Sequence, residues 1–282
     1  MILIIDSGST KAHFVLLGKE GTVTEFTGKG FNPYYYGQRE FYHLLKDELY
    51  VKVKSAKVEQ IFFYGAGCSS NSNCSLVIQT LSEFFPSAEI HAEHDLYGAA
   101  IALLGHQKGI ACILGTGSNS CLWDGRYIME NVPSLGYLLG DEGGGTYLGK
   151  ILITDILSGK ADAEITLAFY DEYELDFPKT LEKIYREAHP NRFFSSLSLF
   201  VQKHIDNECC RNIVKRNFTD FINKQVSKYT DYETLPVSFI GSVAFHYREL
   251  LEEVFKEHKL TVGKVLQKPM EGLIAYHLKN WG

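Results

Sequence analysis

The sequence predicts an α/β protein of two domains, each built in the order βββαβαβα. Three observations point there. Short, continuously apolar runs alternate with stretches of helical spacing, as expected for buried strands joined by helices. The pattern starts twice, near Ile2 and near Ile110, each time as an apolar run, a Gly/Ser turn and a second apolar run. The chain has 282 residues, which suits two domains at ~100–200 residues each.

The elements follow in order. Residues 2–5 form an apolar strand, DSGSTK at 6–11 a turn, and 12–17 a second strand; GKEG then turns the chain into TVTEF at 22–26. Phe41, Leu44, Leu45 and Leu49 give helical spacing over 38–51, and IFFY at 61–64 is a buried strand closed by Gly65 and Gly67. A helix over 73–85, a strand at 88–92 and an alanine-rich helix at 96–104 complete the first half. The second half repeats the start: 110–114 apolar, GTGSNS at 115–120 as the turn, 121–123 apolar. A helix follows the glycines at 146–158, and residues 161–232 are helical in pattern, with Ile205, Cys209, Ile213, Phe218, Phe221 and Val226 on one face. A strand at 237–240, a helix at 246–257, a strand at 261–266 and a helix at 270–280 end the chain. Matching Asp6 to Gly115 sets Gly8 against Gly117 and Ser9 against Ser118. Two such domains facing each other would form a cleft beyond their strand ends, where open α/β sheets bind ligands. The expected division is 1–106 and 107–282, with a helical insertion at 160–232 and with 269–282 able to pack back on the first domain.

The bulk numbers exclude several classes. With 45% hydrophobic and 22% charged residues the chain is globular. A net charge of -6 leaves no basic footprint for nucleic acid. The cysteines, at 68, 74, 112, 121, 209 and 210, make no CxxC, so the expectation is a reduced, intracellular chain without a zinc or redox motif. MILIIDSGS lacks a basic n-region and reads as a strand. No apolar run approaches the ~18–20 residues of a membrane helix. A cytoplasmic protein without nucleic-acid or membrane partners is expected.

Five segments carry candidate chemistry. In DSGSTK, Gly8 and the neighbouring backbone N–H groups can cradle phosphate oxygens. Ser9, Thr10 and Lys11 add hydroxyl and ammonium donors, and Asp6 can hold Mg²⁺. Gly115 and Gly117 of GTGSN allow close backbone approach. GDEGGG at 140–145 places Asp141 and Glu142 where they can bond sugar hydroxyls, or where they merely cap the next helix. Asp95 follows a strand and opens a helix: either a general base or a helix N-cap. GSVA at 241–244 offers small residues against which a flat ring can lie. Two further patterns fail. Gly144–Lys150 fits GxxxxGK but continues with Ile151 rather than Ser or Thr. His91, Glu93, His94 and Asp95 look like metal ligands but lack the spacing of a deaminase site.

Taken together, DSGSTK, GTGSN, PSLGYLLGDEGGG and GSVA resemble the N-acetylglucosamine kinase and BadF/BcrA-type ATPase family of the actin and hexokinase superfamily. The resemblance spans nearly the whole chain. It implies two ribonuclease H-like domains, with ATP and Mg²⁺ as cofactors and an amino sugar as partner. Asp6 would organise Mg²⁺. Gly8, Ser9 and Thr10, with Gly115, Thr116 and Gly117, would meet the phosphates, and Gly241 and Ser242 the adenosine. Asn32, Ser118, Asn119 and Asp141 would recognise the sugar, and Asp95 would be the base. DSGSTK replaces the commoner DGGGTK. Tyr137 follows Gly136 where related sugar kinases often carry Trp, which puts both at the sugar pocket. The expected reaction is phosphoryl transfer to N-acetylglucosamine at its 6-hydroxyl. N-acetylmuramic acid and glucosamine are the alternative substrates. An activator ATPase of a dehydratase or reductase, whose second turn reads more like GGQD, and a non-catalytic sugar sensor are the alternative functions. A homodimer is an alternative to a monomer, and the sequence does not decide whether the helical stretch 161–232 takes part in one.

Overall fold

The computed structural model describes residues 1–8, 11–18, 21, 23–34 and 36–281. The chain divides into two units, Met1–Gly105 with Pro269–Gly282, and His106–Lys268.

The first unit runs β1 (Ile2–Ser7), β2 (Lys11–Leu17), β3 (Val23–Lys29), α1 (Gln38–Leu45), a π turn (Lys46–Tyr50), α2 (Val51–Val53), β4 (Gln60–Gly65), α3 (Asn71–Phe84), β5 (Glu89–His94) and α4 (Asp95–Leu104). Its sheet order is β3-β2-β1-β4-β5, antiparallel on the β2–β3 side and parallel on the β4–β5 side. Strand β1 is central and covered on both faces, so it reads as a continuous apolar run. Leu3 and Ile5 join Phe14, Ile61, Phe63, Phe41, Val77 and Leu81 in one core. The alternate residues, Ile2 and Ile4, are equally buried on the other face.

The second unit runs β6 (Gly109–Leu114), β7 (Ser118–Trp123), β8 (Ile128–Glu130), α5 (Gly136–Leu139), α6 (Gly145–Leu157), α7 (Ala163–Tyr173), α8 (Phe177–Tyr185), α9 (Pro190–Lys203), α10 (Glu208–Lys224), a 3₁₀ turn (Val226–Lys228), β9 (Val237–Ile240), α11 (Ser242–His246), α12 (Arg248–Glu257) and β10 (Val262–Leu266). Its sheet order, read as β8-β7-β6-β9-β10, repeats that of the first unit. The duplicated α/β fold predicted from the sequence is the observed one.

Several local expectations change. Strand β7 begins at Ser118, so Ser118 and Asn119 are strand residues and only Gly115–Gly117 turn. Ser7 and Leu114 are the last residues of β1 and β6. The halves therefore align with Gly8 on Gly115, and Ile113 stands where the first unit has Asp6. Helix α10 starts at Glu208, leaving Ile205 outside it, and buries Cys210 rather than Cys209. The helix expected at 246–257 is α12, and the short α11 precedes it, with Tyr247 between the two. All six cysteines are free. Among the described residues, no helix is long and apolar enough to cross a membrane.

The last helix, α13 (Met270–Lys279), belongs to the first unit and packs on α4. Helix α4 is buried from Gly98 to Leu104, as an all-round apolar helix must be. The approach is close: a Cβ on Gly272 would lie 2.3 Å from the Ala102 carbonyl oxygen. His277 of α13 is buried, pairs through Nε2 with the Tyr64 hydroxyl at 2.9 Å, and packs its ring at a tilt against Phe62. Burial, with a smaller contribution from His91, lowers its pKa to about 4. An unfolded histidine titrates near ~6.5. Between these values the unfolded chain binds a proton that the folded chain does not, so stability falls as pH drops through that window. The full loss is roughly 3 kcal/mol. His277→Gln, which keeps an acceptor for Tyr64, should flatten that part of a stability-against-pH curve measured by urea unfolding.

Candidate active site

Parallel pairing of β1, β4 and β5 sets Ser7, Gly65 and His94 in one row and Asp6, Tyr64 and Glu93 in the row before it. The loops leaving these strands therefore rise from one sheet edge. Asp6 is half-buried at that edge. Gly8 donates its N–H to the Lys11 carbonyl at 3.0 Å, closing the hairpin, and both residues are exposed. Ser9 and Thr10, the expected hydroxyl donors of this turn, lie outside the described residues.

Asn32 reaches the same edge because Ser7 ties its loop down. The Phe31 N–H donates to Ser7 Oγ at 2.7 Å, and that hydroxyl lies 3.2 Å from the Phe31 carbonyl. Asn32 is buried, and its Oδ1 accepts the Tyr34 N–H at 3.0 Å. Gly67 sits directly on this amide. Its φ is +93°, and a Cβ there would come within 2.3 Å of Asn32 Oδ1. Both facts require glycine. Sequence spacing marked Gly67 only as a strand terminator; the Asn32 contact is visible only in three dimensions.

Asp95 opens α4 but does not cap it, contrary to the capping alternative. The cap is His94, whose Nδ1 accepts the Leu96 N–H at 3.2 Å. Asp95 Oδ1 lies 2.9 Å from the same nitrogen. Burial disfavours a charged His94, but the hydrogen bond and charge of Asp95 outweigh it, so the His94 pKa rises above its ordinary value. Among the described residues no group of three or more His, Cys, Asp or Glu could hold a metal ion.

In the second unit, three glycine turns meet at the end of β6. The Gly115–Gly117 turn closes with the Gly115 N–H donating to the Gly117 carbonyl at 3.0 Å. The start of α6 grips it from one side. The Gly145 and Thr146 N–H groups donate to the Gly115 and Thr116 carbonyls at 2.9 Å each, and Thr146 Oγ1 adds a bond of 2.8 Å to the latter. Side chains would prevent this packing: a Cβ on Gly144 would lie 2.7 Å from the Gly117 carbonyl carbon. Gly241 approaches from the other side. Its φ is +129°, and a Cβ there would lie 2.2 Å from the Leu114 carbonyl oxygen. A Cβ on Gly115, by contrast, would meet nothing within 4 Å, so that turn faces open space. Ser242, the first residue of α11, is exposed beside it.

Asp141 sits over the same turn. It is buried and holds a left-handed φ of 65°, an unusual conformation for a residue with a side chain. Its Oδ1 accepts from Ser134 Oγ at 2.9 Å and from the Ser118 N–H at 3.4 Å. The Ser118 hydroxyl is buried and, among the described residues, has no partner. Glu142 behaves differently from its expected role. Its buried carboxylate pairs with Lys224 Nζ at 2.9 Å and fastens the loop to α10. Lys150, from the rejected GxxxxGK pattern, donates to the Tyr137 carbonyl at 2.5 Å and to that of Gly140 at 3.2 Å. It thereby holds α5, which carries Gly136 (φ 72°) and the half-buried Tyr137. Asn119 is not drawn to Asp141: its Oδ1 accepts from the Ser120 N–H and from Asn131 Nδ2, at 3.0 and 3.1 Å.

The first unit thus gathers Asp6, Gly8, Lys11, Asn32 and Asp95 at one sheet edge. The second gathers Gly115–Gly117, Ser118, Asp141 and Gly241 around the end of β6. A solved structure from Porphyromonas gingivalis, described as a "putative N-acetylglucosamine kinase", is 42% identical to this chain over 100% of both, with a TM-score of 0.93. This chain belongs to the N-acetylglucosamine kinase family. A second structure so described, from Chromobacterium violaceum, is 19% identical, with 98% of each chain covered and a TM-score of 0.73. A glucokinase of the ROK family from Streptomyces griseus, solved with glucose and AMPPNP, is 14% identical over 97% of each chain at a TM-score of 0.53. These two share the fold, which is the duplicated actin/hexokinase-like fold of sugar kinases. The chain matches no protein-family model and no curated protein.

Proposed function

We propose that this family member transfers the γ-phosphoryl group of ATP to a hydroxyl of an amino sugar, N-acetylglucosamine at its 6-hydroxyl being the first choice. One observation carries the reading. Asp95 at the start of α4, Asn32 after β3, and Asp6, Gly8 and Lys11 at the β1–β2 turn share one edge of the first sheet. A base, a sugar-binding amide and a phosphate turn are the parts that phosphoryl transfer needs.

The roles follow from the chemistry of each group. Asp95 accepts the hydroxyl proton as the oxygen attacks phosphorus. Asn32, with its Oδ1 engaged by the Tyr34 N–H, is oriented to bond sugar hydroxyls. The β1–β2 turn at Gly8 and the open Gly115–Gly117 turn bind phosphate oxygens, and Gly241 and Ser242 line the adenosine. In the second unit, Asp141, aimed by Ser134, and the Ser118 hydroxyl, which has no partner among the described residues, are the groups offered to sugar hydroxyls. Asp6 offers a single carboxylate at a phosphate turn, and Mg²⁺ takes one or two carboxylates beside phosphate oxygens, so the residues fit that ion. Bound there, Mg²⁺ would neutralise phosphate charge. Lys150, the basic residue bonded to the Tyr137–Gly140 loop, is committed to two of its carbonyls.

The test is ADP release from Mg²⁺-ATP with N-acetylglucosamine, N-acetylmuramic acid, glucosamine, N-acetylmannosamine, glucose or no sugar. Release that depends on an N-acetylated amino sugar is expected. Equal release with every sugar and with none would discard the kinase and favour the activator ATPase. Sugar binding without ADP release would favour the sensor.

A further inference from the structure

Asp95 and Leu96 compete for one nitrogen. His94 Nδ1 accepts the Leu96 N–H at 3.2 Å and lies 2.9 Å from Asp95 Oδ1. A ring nitrogen carries either a lone pair or a proton. While the neutral ring caps α4, Nδ1 has no hydrogen to give. Asp95 Oδ1, a buried oxygen, then has no donor among the described residues. Once the ring is protonated, Nδ1–H turns to Oδ1 and the carboxylate is held in an ion pair.

We propose that His94 gates the base: its neutral imidazole leaves Asp95 able to take the hydroxyl proton, and its imidazolium ties Asp95 up. The inference rests on the kinase reading, in which Asp95 is that base. The transfer itself is unchanged. The hydroxyl oxygen bonds the γ-phosphorus, its proton passes to Asp95, and the β–γ bridging oxygen leaves with ADP and the electron pair of the broken bond. His94 touches Asp95 and the helix start, so it is a positioning residue.

The surrounding groups leave His94 and Asp95 as the switch. Gly65 of β4 is the strand partner of His94 and cannot titrate. From the loop after β4 and from α3 come Cys68 and Cys74, whose thiols are pushed up chiefly by burial and stay neutral. Tyr64 of β4 is likewise held neutral by burial, while Tyr97 lies on α4. Glu93 precedes His94 on β5 and so points to the opposite face; burial raises its pKa, partly offset by His91.

The experiment is the pH profile of kcat/KM for the sugar, from about pH 5 to about pH 9, in the wild type and in His94→Asn. Asparagine can still cap the Leu96 N–H but has no proton to switch. The wild type should retain less than about a quarter of its plateau rate at about pH 6, given a histidine midpoint above ~6.5. The variant should retain at least about threefold more of its own plateau at that pH. A nuclear magnetic resonance titration of His94 supplies a readout that needs no turnover: its midpoint should fall in Asp95→Asn. An active variant with the wild-type acid limb would overturn the gate and leave the kinase standing, as would a His94 midpoint indifferent to Asp95→Asn. A wild type that releases no sugar-dependent ADP at any pH would overturn the kinase reading and the gate with it.

Discussion

Asp95→Asn is expected to lower sugar-dependent ADP release by about 10²–10⁴-fold, the usual contribution of a positioned general base, while ATP binding persists. The substitution is a clean test because Asp95 does not cap α4. His94 accepts the Leu96 N–H, so the helix start does not depend on the carboxylate. The asparagine side chain has nearly the shape of the acid without its basicity. Steady-state kinetics together with calorimetric titration of a non-hydrolysed ATP analogue would separate the two effects. Unchanged turnover would remove Asp95 from the chemistry.

Gly241→Ala is expected to disrupt both stability and nucleotide binding. The residue has a φ of +129°, and its Cβ would fall 2.2 Å from the Leu114 carbonyl oxygen and 3.0 Å from the Gly115 nitrogen. Those are backbone atoms of a buried strand end, which cannot swing away as a side chain can. Conformational strain and overpacking each cost about 1–3 kcal/mol, which should appear as a lower melting temperature. Because the strand end leads directly into Gly115–Gly117, the phosphate turn should shift with it. Gly115→Ala supplies the contrast. Its Cβ would enter open space, so the fold should melt as in the wild type while ATP affinity drops. Equal melting temperatures for Gly241→Ala and the wild type would show that the turn tolerates the displacement.

Much of the fold could be read along the chain because local chemistry specifies it. Ile2–Ile5 and Ile110–Leu114 are continuous apolar runs because each becomes a central strand covered on both faces. The turns after them announce themselves by glycine and hydroxyl residues, and so the duplication was legible as an order of elements. Alignment within the duplication was not. Matching the turns by motif set Asp6 on Gly115, whereas the strand ends set Gly8 there, because hydrogen-bonded register, not side-chain type, decides which residue is last in a strand.

The candidate site divides the same way. Asp6, Asp95, Asp141 and the glycines could be named from the sequence, since a carboxylate at a strand end or a run of glycines is unusual wherever it occurs. Their partners belong to distant segments. Gly67 rests on Asn32, Gly144 on Gly117 and Gly241 on Leu114, contacts that form only when separate loops pack on a strand end. Glu142 looked like Asp141 in the sequence, yet Lys224 of α10 claims it, because the helix delivers an ammonium to one carboxylate and not the other. By itself, then, the sequence determined the strand and helix order, the duplication and the residue types that bear on the chemistry, all of which depend on local pattern. Which carboxylate stays available, which nitrogen caps α4 and which glycine must remain glycine were decided by the tertiary structure, because each depends on atoms brought within bonding distance from far along the chain.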